Sequence, residues 1–143
     1  MQFTVKGNQE KVIIRIQGIN NLIADDYWDR NWISSEIEII LPGYHANFLG
    51  DIRTEEIFIF LEQLKEISQT LSGIAELNTM EGLINLKAEI NNLGHIQWTG
   101  KTTYPIGNGN TLTFNFSNDQ SFLSNLITEL QMITKHFSII GNL

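Results

Sequence analysis

The residue types best suited to chemistry are concentrated in one stretch, Asp25-Asp26-Tyr27-Trp28-Asp29-Arg30-Asn31-Trp32, which holds three carboxylates and three aromatic rings. A pair such as Asp26 and Asp29 has the residue types of the general acid and base of a glycoside hydrolase, with Trp28 or Trp32 stacking on the sugar. Tyr and Trp are also frequent anchors of protein interfaces, where Asp pairs with a partner's Arg or Lys. A structural alternative is that the two tryptophans pin the loop onto the core, while Asp29 and Asn31 bond to its backbone.

Two further carboxylates, Glu36 and Glu38, alternate with Ile37 and Ile39 just downstream. In a strand, this alternation directs both glutamates to solvent from one face, where they either extend the acidic patch or simply solvate the strand. For the partner-binding interpretation, the candidate contacts are Asp25, Asp26, Tyr27, Trp28, Asp29, Glu36 and Glu38.

Other kinds of catalytic or cofactor site are not predicted. The histidines His45, His95 and His136 form no H-x-x-x-H or H-E-x-x-H spacing, and the absence of Cys excludes thiolate ligands and nucleophiles. Gly107 and Gly109 precede a predicted strand and not the helix that a phosphate-binding loop requires. No Gly-x-Ser-x-Gly elbow occurs in the sequence. We therefore expect no catalytic residues, no metal and no cofactor.

The charge balance limits the classes of partner. Nine Lys and Arg stand against sixteen Asp and Glu, which gives a net charge of −7, and eleven of the acids lie within residues 1–71. Direct binding to nucleic acid would oppose this field, whereas a basic protein partner is favoured. The N-terminus does not resemble a leader, and no apolar run reaches the roughly 20 residues of a membrane span. We expect a cytoplasmic protein without a membrane partner, as a monomer or weak dimer.

Two segments have the apolar spacing of amphipathic helices. The first begins at Thr54, a predicted N-cap, and ends before Gly73, which is expected in the left-handed conformation. The second runs from about Asp119 to Phe137, with Ser117 or Asp119 as its cap. The predicted buried stripes contain Ile57, Phe60, Leu61, Leu64, Ile67 and Leu71 in the first helix, and Phe122, Leu123, Leu126, Ile127, Leu130, Ile133 and Phe137 in the second.

The remaining segments alternate with a period of two, which predicts strands. Four precede the first helix, around residues 3–5, 12–16, 37–41 and 44–48, and four precede the second, around residues 74–77, 83–90, 95–100 and 111–116. An offset of 66 residues places Phe48 on Phe114 and Phe60 on Leu126, which suggests a duplicated four-strands-then-helix unit. The alternative is that any two amphipathic helices look alike. We expect a single α+β domain over residues 1–143, with about eight mostly antiparallel strands and both helices side by side on one sheet face.

The sequence resembles the WapI family of bacterial immunity proteins, small cytoplasmic antidotes to contact-dependent toxins of the WapA type. The resemblance rests on motifs that occur in the expected order from about residue 3 to residue 137. They are Asp26-Tyr27-Trp28-Asp29-Arg30-Asn31-Trp32-Ile33, Arg53-Thr54-Glu55-Glu56, Gly94-His95-Ile96-Gln97-Trp98-Thr99-Gly100, and Gly109-Asn110-Thr111-Leu112-Thr113-Phe114 running into Asp119-Gln120-Ser121-Phe122-Leu123.

The resemblance implies a non-enzymatic inhibitor that binds the cognate toxin domain of a polymorphic toxin system, typically a basic nuclease that acts on tRNA. It assigns no toxin contact to any residue. Two hypotheses from other classes stay open at this point. One is a small hydrolase or carbohydrate-binding protein that uses the loop of residues 25–32, and the other is an assembly module that pairs through exposed sheet edges.

Overall fold

The computed structural model of the chain describes residues 1–19 and 31–139. These ranges contain four strands and a helix, followed by four more strands and a second helix. The first unit comprises β1 (Gln2–Lys6), β2 (Lys11–Ile19), β3 (Trp32–Leu41), β4 (Tyr44–Arg53) and α1 (Thr54–Thr70). The second comprises β5 (Gly73–Asn78), β6 (Ile84–Ile90), β7 (His95–Tyr104), β8 (Asn110–Asp119), a 3-10 turn (Gln120–Phe122) and α2 (Leu123–His136).

The strands form two antiparallel sheets, each a meander in sequence order: β1 to β4 make the first sheet and β5 to β8 the second. The predicted α+β class, with eight antiparallel strands and two helices, is confirmed within the described ranges. The expectation of one sheet beneath both helices is wrong. The 17-residue α1 connects β4 to β5, and β5 starts a second sheet instead of pairing with the first one.

Equivalent positions of the two units occupy equivalent places in the fold. Phe48 and Phe114 are buried on β4 and β8, the last strand of each sheet. Phe60 of α1 and Leu126 of α2 are likewise buried on the helix that follows. The same correspondence holds for the pairs Leu64 and Leu130, and Ile67 and Ile133. The arrangement therefore has the duplicated form that the 66-residue offset predicts.

One hydrophobic cluster joins both sheets and both helices. Near its centre, Trp98 of β7 is 1% exposed, meets the ring of Phe60 edge-on at 6.3 Å and stacks on Phe116 at 6.3 Å. Its one polar atom, Nε1, donates a hydrogen bond of 2.9 Å to Oδ1 of Asn118. The tryptophan of the Gly94–Gly100 motif is thus a satisfied core residue.

The same motif ends at Gly100, which lies directly opposite Phe114 in the β7–β8 register. The phenyl ring lies against the glycine backbone, and a Cβ atom at position 100 would be 2.1 Å from Cζ of Phe114. The close approach of the ring therefore requires glycine at this position.

The two helices pack against each other, and their buried faces follow the predicted stripes with one clear exception. Phe122 is 40% exposed, because it belongs to the 3-10 turn before α2, whose tighter winding takes it out of phase with the helical stripe. Neither helix of the described ranges has the length and apolarity needed to cross a membrane.

The helix ends differ from the predicted ones by one to four residues. Arg53 is the N-cap of α1, and Thr54 is its first helical residue. Leu71 closes α1 in the left-handed conformation, with a φ of 51°, whereas Gly73 already begins β5. Asp119 caps the 3-10 turn by accepting a hydrogen bond of 2.8 Å from the N–H of Ser121, and α2 starts only after that turn.

Candidate functional site

The predicted contact residues fall into two groups. Asp25, Asp26, Tyr27, Trp28 and Asp29 lie outside the described residues. Glu36 and Glu38 lie on the outer face of the first sheet, since Ile37 between them and Ile39 after them face the core. Both glutamates are half-buried and belong to a group of hydrogen-bonded side chains. This group, named here the Glu36–Glu38 cluster, consists of Arg15, Glu36, Glu38, His45 and Asn47.

Strand register brings the cluster together. Arg15 of β2 lies opposite Glu36 of β3, and Asn47 of β4 lies opposite Glu38. Because side chains alternate across a strand, these residues share the outer face with His45, two positions before Asn47. Three consecutive strands, β2, β3 and β4, therefore contribute to one patch.

Every carboxylate oxygen of the cluster has a partner. The guanidinium of Arg15 donates to Oε1 of Glu36 at 3.2 Å and to Oε1 of Glu38 at 2.8 Å. The amide of Asn47 donates to Oε2 of Glu36 at 3.1 Å, and Nε2 of His45 lies 2.7 Å from Oε2 of Glu38. These bonds hold both carboxylates in fixed orientations, although the side chains of Glu36 and Glu38 remain 29% and 17% exposed.

The electrostatics follow from these contacts. The hydrogen bond from Arg15 lowers the pKa of Glu38 below its usual value of 4.5, and the contact with His45 makes a smaller contribution in the same direction. The same bond raises the pKa of Arg15, because the charged guanidinium gains a carboxylate partner. Two carboxylates against one guanidinium leave the cluster with an excess negative charge. A basic group on another protein is therefore a chemically suitable partner.

The end of the aromatic stretch is anchored at the junction of β4 and α1. Asn31 is fully buried, and its C=O accepts a hydrogen bond of 2.8 Å from the N–H of Thr54. Its side-chain Oδ1 accepts a second bond, of 2.9 Å, from the Thr54 hydroxyl. The ring of Trp32 lies over the guanidinium of Arg53, 5.0 Å from the ring centroid. Asn31 and Trp32 thus make structural contacts that fix where the segment before them rejoins the fold.

Arg53 was not singled out as a buried residue from the sequence, because a long cationic side chain is ordinarily exposed. It is fully buried, and its Nε donates to a carboxylate oxygen of Glu55. Glu56 accepts the N–H of Arg53 at 2.9 Å and the N–H of Met80 at 2.6 Å. Burial raises the pKa of Glu56, and the two backbone N–H groups oppose that shift. The sequence predicted the acidic first turn of α1. It did not predict the hydrogen bond between Glu56 and Met80, which lies in the β5–β6 connection.

A groove of about 550 Å³ is lined mainly by residues of β1 and α2, and it reaches Ile13 of β2, which lies opposite Glu38 in the β2–β3 register. Its one carboxylate, Glu129, accepts a hydrogen bond of 3.1 Å from the backbone N–H of Thr4. The pair of carboxylates that a glycoside hydrolase uses does not line this groove. Across residues 1–19 and 31–139, no three His, Asp or Glu side chains are placed to hold a metal ion.

Comparison with known proteins gives one structural relative. No curated protein matches the sequence significantly. Among solved structures, MRP1/MRP2 from Trypanosoma brucei is similar, with a TM-score of 0.51 at 12% sequence identity. The superposition covers 96% of this chain and 86% of that chain. At such low identity the likeness concerns the fold alone.

The family comparison is more specific. The match to the profile of the Immunity protein WapI-like family extends over residues 3–138, which includes both four-stranded sheets and both helices. The motifs at Arg53–Glu56 and Gly94–Gly100 lie within it and form, respectively, the α1 cap and part of the core. The chain therefore belongs to the Immunity protein WapI-like family.

Proposed function

We propose that this chain is a non-catalytic antidote that binds the domain of a cognate toxin, a basic nuclease acting on tRNA, and thereby blocks it. The observation that carries the proposal is the family match over residues 3–138, because an immunity family supports a toxin-neutralising role. The toxin would be of the WapA type, delivered by contact within a polymorphic toxin system. The antidote would act as one domain in the cytoplasm, as a monomer or weak dimer, without binding nucleic acid itself.

Charge supports a nuclease as the partner. A nuclease needs a cationic groove for its substrate, and a chain with a net charge of −7 is attracted to such a groove from a distance. Steering of this kind raises the association rate and weakens with salt. Complexes of nucleases with immunity proteins are among the tightest known, so inhibition by occlusion is energetically feasible.

The Glu36–Glu38 cluster supplies carboxylates suited to this role. Arg15 and Asn47 hold Glu36, while Arg15 and His45 hold Glu38. A partner's Arg or Lys would meet side chains that are already oriented, so less conformational entropy is lost on binding. We extend the proposed contact surface to the sequence-predicted residues Asp25, Asp26 and Asp29, with Tyr27 and Trp28 as anchors.

The proposed mechanism requires no chemistry from the antidote. Carboxylates take the place of substrate phosphates on the toxin, or cover the surface beside its active site, and substrate is excluded.

The test is a pull-down and inhibition assay against candidate toxin domains from the same genome, with tRNA cleavage as the readout. We expect one domain to bind with nanomolar affinity or better and to lose its cleavage activity at equimolar antidote. If no domain binds or is inhibited, the proposed function is wrong.

A variant pair then tests the predicted contacts. Replacing Asp25, Asp26 and Asp29 by Asn should weaken toxin binding at an unchanged thermal unfolding midpoint. The matched control replaces three exposed glutamates elsewhere by Gln, namely Glu66, Glu81 and Glu89, and changes net charge equally. Equal affinity of the two triple variants would remove the Asp25–Asp29 patch from the interface.

A further inference from the structure

The free edge of the first sheet lies at β4, the last strand in the order β1-β2-β3-β4. Its hairpin with β3 closes through the two-residue turn Pro42-Gly43, so Leu41 and Tyr44 form a hydrogen-bonded pair. Because such pairs alternate along an antiparallel ladder, the backbone N–H and C=O of His45, Asn47 and Leu49 point away from β3. In the described part of the chain, nothing hydrogen-bonds to these outward backbone groups.

Two other sheet edges show how the fold covers backbone groups elsewhere. On β1, the N–H of Thr4 donates to Glu129 of α2 at 3.1 Å. On β5, the N–H of Glu76 donates to Gln63 of α1 at 2.8 Å. Helix side chains therefore occupy these edges, whereas β4 between Tyr44 and Leu49 has no such cover among the described residues.

The β4 edge also lacks the features that usually prevent strand pairing. Residues 44–49 contain no Lys and no Pro, and the β3–β4 register runs through ten pairs without a bulge. Leu49 is 59% exposed and Tyr44 66% exposed. A regular edge without Asp, Glu, Lys or Arg between Tyr44 and Leu49 is a template for an added strand.

The surroundings of this edge select the chemistry of the added strand. His45 and Asn47 bend over β3 to contact Glu38 and Glu36, which leaves the β4 backbone uncovered and places the excess negative charge beside it. A second copy of this chain would bring another net charge of −7 to the same edge. A strand rich in Lys or Arg is attracted to it instead.

We propose that the toxin domain docks by adding a basic strand to the β4 edge, with its Lys or Arg side chains beside the Glu36–Glu38 cluster. This inference rests on the proposed function and gives it a binding mode. Main-chain hydrogen bonds to His45, Asn47 and Leu49 supply the register, and the carboxylates select positive charge.

The first test uses charge at one exposed position. Leu49→Lys adds a positive charge next to Glu36 on the edge, and should weaken binding of an inactivated toxin domain by about tenfold or more. Leu49→Glu alters the same position with the opposite charge, and its affinity should stay within a few fold of the unaltered chain. Thr113→Lys, on the exposed face of the second sheet, gives the same net charge as Leu49→Lys and should bind normally. Equal affinity of Leu49→Lys and Thr113→Lys would overturn the proposal.

The second test reads the backbone directly by amide hydrogen exchange in the NMR spectrum, with and without the inactivated toxin domain. The N–H groups of His45, Asn47 and Leu49 should become protected in the complex, while those of Ala46 and Phe48, already bonded to β3, should change little. A complex that leaves His45, Asn47 and Leu49 unprotected would overturn the added strand but leave the proposed function intact. Protection that appears at high protein concentration without toxin would indicate a second copy at this edge and would also overturn it.

Discussion

Arg15 makes its shorter bond to the diagonal neighbour on β3, not to the residue directly opposite it. Its Nη2 lies 2.8 Å from Glu38, whereas Nη1 lies 3.2 Å from Glu36, the residue paired with Arg15 in the register. One guanidinium therefore spans two carboxylates that are two residues apart on β3. This geometry orients Glu36 and Glu38 together, and the bond to Arg15 lowers the pKa of Glu38.

The first prediction concerns how the contribution of Glu38 to the stability of the fold changes with pH. Its folded pKa lies below 4.5 because of Arg15 and His45, so these contacts stabilise the fold fully above about pH 4.5. Their contribution is lost as the pH falls through the folded pKa. We expect an NMR titration of the Glu38 carboxyl carbon to give a pKa below 4.5, and Arg15→Ala to raise it. An unchanged midpoint in Arg15→Ala would show that the bond is absent in solution.

The second prediction concerns the role of the same carboxylates in binding. The double variant Glu36→Gln with Glu38→Gln should slow association with the toxin domain and reduce its dependence on salt, because it leaves Arg15 without carboxylate partners. The control is Glu76→Gln with Glu89→Gln on the second sheet, which changes net charge by the same amount. Stopped-flow measurements over a range of NaCl concentrations compare the two. Identical salt dependence in both variants would mean that the association rate depends on net charge alone and not on the positions of Glu36 and Glu38.

The sequence was sufficient for the elements of the fold because each has a clear period. Alternation at Val12, Ile14 and Ile16 and helical spacing at Phe60 and Leu64 both report burial, which depends on local geometry and hydrophobicity. The 66-residue offset also predicted correctly that the order of four strands and a helix occurs twice. The number of sheets was not predictable, because periodicity does not specify which strands become neighbours.

The contacts of the candidate site depend on such neighbours. Arg15 and Glu38 are 23 residues apart, and their bond depends on the β2–β3 register that pairs Arg15 with Glu36. Arg53 is buried against the ring of Trp32, and its Nε donates to the carboxylate of Glu55, which offsets part of the cost of moving a cation out of water. These long-range contacts have no local sequence pattern.

The third prediction concerns the α1 cap. Glu56→Ala removes the acceptor for two backbone N–H groups, those of Arg53 and Met80, and should lower the free energy of unfolding by about 1–2 kcal/mol. Urea denaturation followed by circular dichroism measures this. Glu62→Ala serves as the control, because Glu62 is exposed on the same helix and pairs only with exposed Lys65 among the described residues. A loss as large in Glu62→Ala would assign the effect to helix charge and not to capping.

The fourth prediction concerns the contact between Gly100 and Phe114. Gly100→Ala places a Cβ 2.1 Å from the ring and should lower the free energy of unfolding by about 1–3 kcal/mol, the usual range for overpacking. Thr99→Ala, on the exposed face of the same strand, should cost much less.

A double variant distinguishes a steric clash with Phe114 from a general destabilising effect of alanine in β7. Phe114→Leu alone should destabilise the fold, because it removes part of a buried ring. In the Phe114→Leu background the clash is relieved, so adding Gly100→Ala should cost distinctly less than it does in the unaltered chain. Because Gly100 has an ordinary strand conformation, alanine there is otherwise acceptable and restricts the unfolded chain. Additive free energies in this cycle would show that the ring does not set the requirement for glycine.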